Sequence, residues 1–320
     1  MAIFRPANQI RDKIGVFVAL TGTANAGKTF SALSLARGIA GPGGRIAVAD
    51  TEGGRTLNLK DQFEFDAVVM SPPFRPQAFS DIAIAAEQEG YACLVIDSFS
   101  QEWTGMGGVL SWQEEELSRM AGDDWKKREA CKFASWIKPK TGHKAMVNSL
   151  LQRRIPIVFS IRGEESVKPA EKGAASRDPV KVYKSLTDKS LPFEMSIAFR
   201  LDPARKGYID LSDPTTWKME GAHREIFRDG DRLSAEHGAK LAAWASGLGA
   251  AAPHTAPSRN LADEGDAAAE RGSDALASFW GRLTAKEKHA AGGANALAAW
   301  KAIAAEADKQ IAAEEEHANG

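Results

Sequence analysis

One stretch of this chain has the residue types and spacing to hold phosphate. Gly22-Thr23-Ala24-Asn25-Ala26-Gly27-Lys28-Thr29 fits the G-x-x-x-x-G-K-[ST] pattern, and Phe30 opens the segment that follows. In such a loop the glycines let successive backbone N–H groups turn inward around phosphate oxygens. The N-terminus of the next helix adds its partial positive charge. Lys28 is placed to reach the β- and γ-phosphates, and the Thr29 hydroxyl to ligate Mg²⁺. The expected ligand is a nucleoside triphosphate with Mg²⁺.

Phosphoryl transfer needs groups around the γ-phosphate as well as a cradle for it. Asp97 closes the apolar run Cys93 to Ile96, the place for a carboxylate that orients the water shell of Mg²⁺. Glu52 stands at the mouth of the apolar run ending at Asp50 and is the candidate base for an attacking water. Ser160 ends a third such run, from Ile155, and is a candidate sensor of the γ-phosphate. Asp50-Thr51-Glu52-Gly53 also fits the D-x-x-G pattern of GTPases. Asp97 is the better Mg²⁺ carboxylate, however, and no N-K-x-D tetrapeptide follows to read guanine. ATP is the expected nucleotide.

These residues need a frame. Apolar runs at 14–20, 45–50, 65–70, 91–96 and 155–160 have the length and continuity of buried strands. Segments with helical spacing alternate with them, at 30–40 and 76–89, the second with Phe79, Ile82, Ile84 and Ala85 as its apolar face. That rhythm predicts an α/β fold with a mostly parallel sheet flanked by helices. Residues 101–154 interrupt the rhythm and carry Trp103, Trp112, Trp125 and Trp136, half of the chain's 8 tryptophans. Residues 162–190 are polar and read as a loop. A strand over 193–201 pairs as a hairpin with 207–211, and a helix over 234–246 closes the domain with Leu241 and Trp244 inward. The expected organisation is a nucleotide-binding domain over 1–247, a flexible Ala/Pro/Ser-rich linker over 248–272, and a helical module over 273–320. In that module Leu276, Phe279, Trp280 and Leu283 share a face, as do Leu297, Trp300, Ile303, Ala307 and Ile311. Thr284 to Glu287 fits a capping box.

Val48-Ala49-Asp50-Thr51-Glu52-Gly53 resembles the second-strand signature of the RecA-like strand-exchange ATPases. Leu94-Val95-Ile96-Asp97-Ser98 resembles their Walker B strand. A closer resemblance is to the phage and prophage RecA-like AAA-type ATPases that accompany single-strand-annealing recombination. It is carried by Asp97 to Trp103, Val158 to Arg162, and Pro192 to Gly207, and it spans roughly residues 10–247. The resemblance implies a RecA-like P-loop ATPase with Glu52 as catalytic base. It implies action on DNA and self-association in a filament or ring. Arg205 and Lys206 then stand where such ATPases place a cation that reaches a neighbour's γ-phosphate. The loop at 162–190 stands where such proteins contact DNA, which adds Lys168, Lys172, Lys181 and Lys184. The strand from Ile155 departs from the RecA pattern, ending in Ser160-Ile161-Arg162 in place of an amide-bearing end.

Composition sets the outer limits. A formal net charge of −1 over 320 residues predicts no general attraction to nucleic acid, so any such site is local. Residues 119–154 supply one: ten lysines and arginines against three acids, interleaved with Trp125, Phe133, Trp136 and His143. Cations for phosphates with aromatics for stacking fit a single strand of DNA, with Lys126, Lys127, Arg128, Lys138 and Lys140 as candidates. The bland reading is a solvated basic helix with its tryptophans inward. The 2 cysteines, Cys93 and Cys131, form no disulfide framework and suit a reducing compartment. No apolar run is long enough to span a membrane, and a cytoplasmic protein (in the bacterial host, if phage-encoded) is expected. The C-terminal helices are candidates for docking a recombination or single-strand-binding partner. Two other readings stay open: an ATP-dependent switch or partner-binding module with little turnover, and a DNA motor for packaging or unwinding.

Overall fold

Along the first buried run, alternate residues bury into opposite layers. Val16, Val18 and Leu20 join one apolar cluster, and Phe17 and Ala19 join another. Burial on both faces is what a central parallel strand requires. The computed structural model describes residues 15–168, 180–246 and 261–318. The chain divides into two units, Met1–Ala250 and Ala251–Gly320.

The first unit begins with β1 (Phe17–Gly22), α1 (Lys28–Ala40), β2 (Ile46–Asp50), β3 (Asp66–Val69), α2 (Pro76–Gln88) and β4 (Cys93–Asp97). Four helices follow: α3 (Ser100–Thr104), α4 (Val109–Ala121), α5 (Trp125–Cys131) and α6 (Ile137–Leu151). The chain returns through β5 (Ile157–Lys168), β6 (Val180–Ser185), α7 (Leu191–Glu194), β7 (Ile197–Leu201) and β8 (Ile209–Asp210), and ends in α8 (His223–Ile226) and α9 (Ala235–Ala245). The sheet order is β3-β2-β4-β5-β1-β7-β8. Every pairing from β3 through β7 is parallel, and β8 is added antiparallel to β7. Helices cover both faces: α1 and α9 pack over one cluster, α2 and α6 over the other. The fold is α/β, with a mostly parallel sheet between helical layers.

Three expectations for this unit are corrected. The strand expected over 193–201 begins only at Ile197, because Leu191–Glu194 turn as a short helix. Residues 162–190 are not simply loop: β5 runs on to Lys168 and pairs antiparallel with β6, Gly163 opposite Ser185. This ribbon stands beyond the sheet, so its strands lack the apolar alternation that marks a half-buried strand. The inward face of α2 is formed by Pro76, Phe79, Ser80, Ala83 and Ala86, while Ala85 is exposed and Ile82 and Ile84 are half-buried. Small residues let the helix lie close to the sheet, and bulk alone misplaces the stripe.

The closing helix forms as expected. Ser234 caps α9, Leu241 is buried, and half-buried Trp244 meets His223 edge-on at 4.2 Å. Helices α1 and α9 meet through glycines. A Cβ at Gly238 would stand 2.1 Å from the Leu35 carbonyl oxygen, and one at Gly38 1.8 Å from that of Ala235.

The second unit contains α10 (Leu261–Ala269), α11 (Ser273–Arg282), α12 (Ala285–Ala290) and α13 (Gly293–Ala318). Part of the expected linker, 261–269, is therefore helical. Ala268 and Ala269 belong to the unit's core with Leu276, Phe279, Leu283 and Trp300. Trp300 Nε1 donates to Asp266 at 2.7 Å, tying α13 to α10. Thr284 and Glu287 form the capping box. Ile303 is exposed, unlike its expected place on the inward face. Among the described residues no helix is long and apolar enough to cross a membrane.

Candidate functional site

Parallel strands bring their C-terminal ends to one edge, and open α/β sheets hold ligands outside that edge. Here the register is explicit. Val69, Asp50, Asp97, Ser160, Leu20 and Phe199 lie on one line across the sheet. The loop 23–27 connects β1 to α1 immediately beyond that line. Gly27 stands at the N-cap of α1 with φ 86°, and no side chain caps the helix. A side chain at 27 would be strained in that conformation, and its Cβ would stand 2.9 Å from Gly207 N. The Gly207 amide donates to Ala26 O at 2.9 Å, so the turn after β7 braces the loop. Thr23 is half-buried, Ala24 and Asn25 are exposed, and Ala26 is buried. Phe30 lies on the first turn of α1, edge-on to Phe63 at 5.1 Å.

Lys28 folds back over this loop, its Nζ donating to Gly22 O at 3.0 Å and Thr23 O at 2.7 Å. Burial lowers its pKa below the ordinary lysine value. Asp97 and Glu52 work against that shift, and Arg162 and Arg55 with it. Thr29 Oγ1 donates to Asp97 Oδ2 at 2.5 Å. Asp97 is 5% exposed. Burial pushes its carboxyl above the usual range, opposed by the Ser160 and Thr29 hydroxyls and by Lys28. Ser160 Oγ is buried beside that carboxylate, in cross-strand register with it, yet meets no described group at full hydrogen-bond geometry. The peptide between Asp97 and Ser98 is cis.

Asp50 and Glu52 have separate tasks. Asp50 is buried and accepts from Glu52 N (2.7 Å), Gly54 N (3.1 Å), Thr56 N (2.7 Å) and Thr56 Oγ1 (2.6 Å). Burial alone would raise its pKa, but these hydrogen bonds together hold it below the usual range. Asp50 thus shapes the turn that carries Glu52. The Glu52 carboxylate is gripped from two sides. Arg162 Nε and Nη2 donate to Oε1 at 2.9 and 2.5 Å, and Arg55 Nη1 to Oε2 at 2.7 Å.

Sequence reasoning missed both arginines. Arg162 could have been found by extending the strand from Ile155 by two residues, which brings it beside Gly22. Arg55 carries no signal beyond its nearness to Glu52. The structure therefore brings Lys28, Thr29, Glu52, Asp97 and Ser160 to one edge, with Arg162 and Arg55 added.

None of the other candidates has a described side-chain contact with that cluster, although the turn carrying Arg205 and Lys206 abuts the loop through its backbone at Gly207. Arg205 pairs with Asp202 at 2.7 Å within its own exposed turn, and Lys206 beside it is exposed. Arg128 pairs with Glu114 and donates to Ser118 Oγ and Gly122 O, so it ties α5 to α4. Lys138 pairs with Glu116 at 3.1 Å. Lys126 and Lys127 are exposed on α5, Lys126 lying 5.6 Å from the centre of the Trp125 ring. Lys140 stands over Trp136 at 5.6 Å. Lys184 is exposed on β6. Lys172 lies outside the described residues, as do the side chains of Lys168 and Lys181.

The oxygen donors at the edge fit a hard divalent ion: one hydroxyl and one carboxylate already in contact, with a third oxygen, Ser160 Oγ, unpaired beside them. Among the described residues no group of three or more His, Cys, Asp or Glu could hold a metal. Mg²⁺ needs no such cage, because it keeps several waters and takes one or two carboxylates plus substrate phosphates. In comparison with known proteins, the chain matches no protein-family model and no curated protein.

Proposed function

We propose that this protein is a Mg²⁺-dependent ATPase of RecA-like P-loop type that acts on single-stranded DNA, in the manner of the phage recombination ATPases it resembles. The carrying observation is the contact between Thr29 Oγ1 and Asp97 Oδ2 at the mouth of the 22–29 loop, with Glu52 at the same edge. The strand order is compatible with a RecA-like fold. Backbone amides of the loop and Lys28 would bind the phosphates. Thr29 and Asp97, the latter through water, would hold Mg²⁺, which when bound neutralises charge on the β- and γ-phosphate oxygens. Glu52 would accept the proton of the attacking water, and Arg162 or Lys28 would offset charge developing on the γ-phosphoryl oxygens.

The test is ATP hydrolysis with and without single-stranded DNA, beside a Glu52→Gln variant. The expected result is DNA-stimulated turnover that falls by about 10²–10⁴ in the variant while nucleotide binding persists. A wild-type protein that binds no ATP sinks the proposal.

One observation favours a second reading, an ATP-dependent switch with little turnover. Both carboxylate oxygens of Glu52 accept from arginines, so an attacking water must share the base with guanidinium donors in this arrangement. A weak basal rate that ignores DNA, in a protein that binds MgATP, selects that reading.

A further inference from the structure

The helical segment between β4 and β5 and the chain leaving β6 line a cleft of about 620 Å³ that shares no residue with the edge carrying Lys28, Thr29, Glu52 and Asp97. That volume lies within the roughly 300–1,000 Å³ of small-ligand sites, room for a nucleotide or two and not for a folded partner. Its floor is aromatic. Trp103 and Trp136 lie 6.4 Å apart, inclined by 24°, and Phe133 at the rim is 87% exposed. The floor is also fixed from below. His143 meets Trp103 edge-on at 5.5 Å, and its Nδ1 is 2.9 Å from Glu102 Oε1 in a buried pair. Lysines crown the cleft: Lys140 over Trp136, and Lys184 and Lys189 from the opposite wall, both exposed. Lys132 is a fourth, loosely paired with Glu129 at 3.7 Å. The one acid in the lining, Asp188, accepts from the amide and hydroxyl of Ser190 at Oδ1, 2.8 and 2.5 Å away, and its charge is outnumbered by the four lysines.

We infer that this cleft seats a single-stranded polynucleotide, one or more bases stacking on Phe133 and Trp136 and the flanking phosphates meeting Lys140, Lys184 and Lys189. Rigid aromatic faces rimmed by cations suit a strand whose bases are unstacked and whose backbone is anionic. A duplex cannot present base faces, and a neutral or basic peptide has no use for the lysines. The site differs from the basic run on α5, where Arg128 is already tied to Glu114. It also has a direct connection to the nucleotide edge. The Leu186 amide, one residue beyond β6, donates to Arg162 O at 2.8 Å, and Arg162 holds Glu52. The inference rests on the reading above only for the polymer's being DNA.

The experiment is fluorescence anisotropy of labelled oligothymidine of about 15 nucleotides, within the usual single-strand site sizes, on the full chain with MgATPγS present. Phe133→Ala is the principal variant, since so exposed a ring contributes little to folding. Its affinity is expected to fall roughly tenfold, with the slope of affinity against salt unchanged. The Lys140→Ala/Lys184→Ala pair should instead flatten that slope by about 1.4, at about 0.7 per single-strand phosphate contact. Labelled oligouridine run in parallel tells whether DNA or RNA is preferred, and loss of its binding in Phe133→Ala supports the same site. Unlabelled duplex should compete poorly. Unchanged affinity in Phe133→Ala, equal competition by duplex, or loss only in a Lys126→Ala/Lys127→Ala control overturns the inference. Nucleotide binding, followed separately by the thermal shift with MgATPγS, keeps the two readings apart. A shift with Phe133-independent DNA binding refutes the cleft alone, and Phe133-dependent binding without a shift refutes the ATPase reading alone.

Discussion

Replacing Asp97 by Asn removes one charge from a carboxylate that is 5% exposed and leaves its shape almost unchanged. Two effects of opposite sign follow. Burial raises the native pKa of Asp97 above its unfolded value of 3.8, so ionisation costs the folded protein stability at neutral pH, a cost relieved as pH falls through the native value. The amide avoids that cost. Its oxygen can keep the bond from Thr29 Oγ1, and its NH₂ can donate to Ser160 Oγ, which lies beside it in cross-strand register. The nucleotide-free variant should therefore melt at or above the wild-type temperature. The effect on ligand binding runs the other way. A Mg²⁺-nucleotide complex held at about 100 times its Kd stabilises a protein by about 2.7 kcal/mol. For a unit of this size each kcal/mol moves Tm by about 2–4 °C, so the wild type should gain roughly 5–11 °C. Without the carboxylate the Mg²⁺-dependent part of that gain should vanish. The assay is thermal denaturation with MgATPγS, with ATPγS and EDTA, and with neither. If Asp97→Asn keeps the full Mg²⁺-dependent shift, Asp97 does not hold the metal and the edge has been misread.

Two further outcomes concern the frame around the site. Gly238→Ala should destabilise the first unit, because the new methyl would meet the Leu35 carbonyl oxygen at 2.1 Å and Ile39 N at 2.8 Å, backbone atoms that cannot rotate away. Overpacking of this kind costs about 1–3 kcal/mol. Alanine's better helix propensity returns about 1. With backbone on the receiving side the upper end of that overpacking range applies, about 3, so a net loss of about 2 kcal/mol, or roughly 4–8 °C in Tm, is expected, and an unchanged melt would mean that α1 and α9 are not in this contact. The second outcome is a pH dependence. For His143, burial lowers the pKa, but Glu102, with Asp188 behind it, more than offsets that and the net shift is upward; burial raises that of Glu102. Both shifts let the native pair hold its proton more tightly than the unfolded chain does. Its stabilisation is complete below the free-group values, 4.5 for Glu102 and 6.5 for His143, and is lost as pH rises through the native ones. Glu102→Gln should move the His143 titration, followed by NMR, to lower pH and flatten the fall of stability above neutrality. A titration that does not move would show that the pair is not formed in solution.

Much of the frame was legible because it is local. A buried parallel strand is a short continuous apolar run whatever its neighbours are, so the strands of the first unit, apart from β6 and the outer half of β5, could be placed within a few residues. The spacing of Gly22, Gly27, Lys28 and Thr29 is a property of consecutive residues, and Asp97 and Ser160 could be singled out because each ends such a run. Helix faces were less legible: α2 turns Ala83 and Ala86 inward where bulk pointed to Ile82 and Ile84. The β5–β6 ribbon was read as loop, since strands outside the core need no apolar alternation.

What the sequence determined by itself, then, is which residues end strands and where glycines let the chain turn between β1 and α1. It could not determine which strand ends are neighbours, because register is fixed by hydrogen bonds between segments far apart in the chain. Only the tertiary structure set Asp97 against Thr29 and brought Arg162 to Glu52, across 110 positions. It likewise spent Arg128 and Lys138 on ion pairs and closed the Trp103–Trp136 cleft with the chain leaving β6. Side-chain identity fixes the chemistry available, and packing decides which of those groups meet.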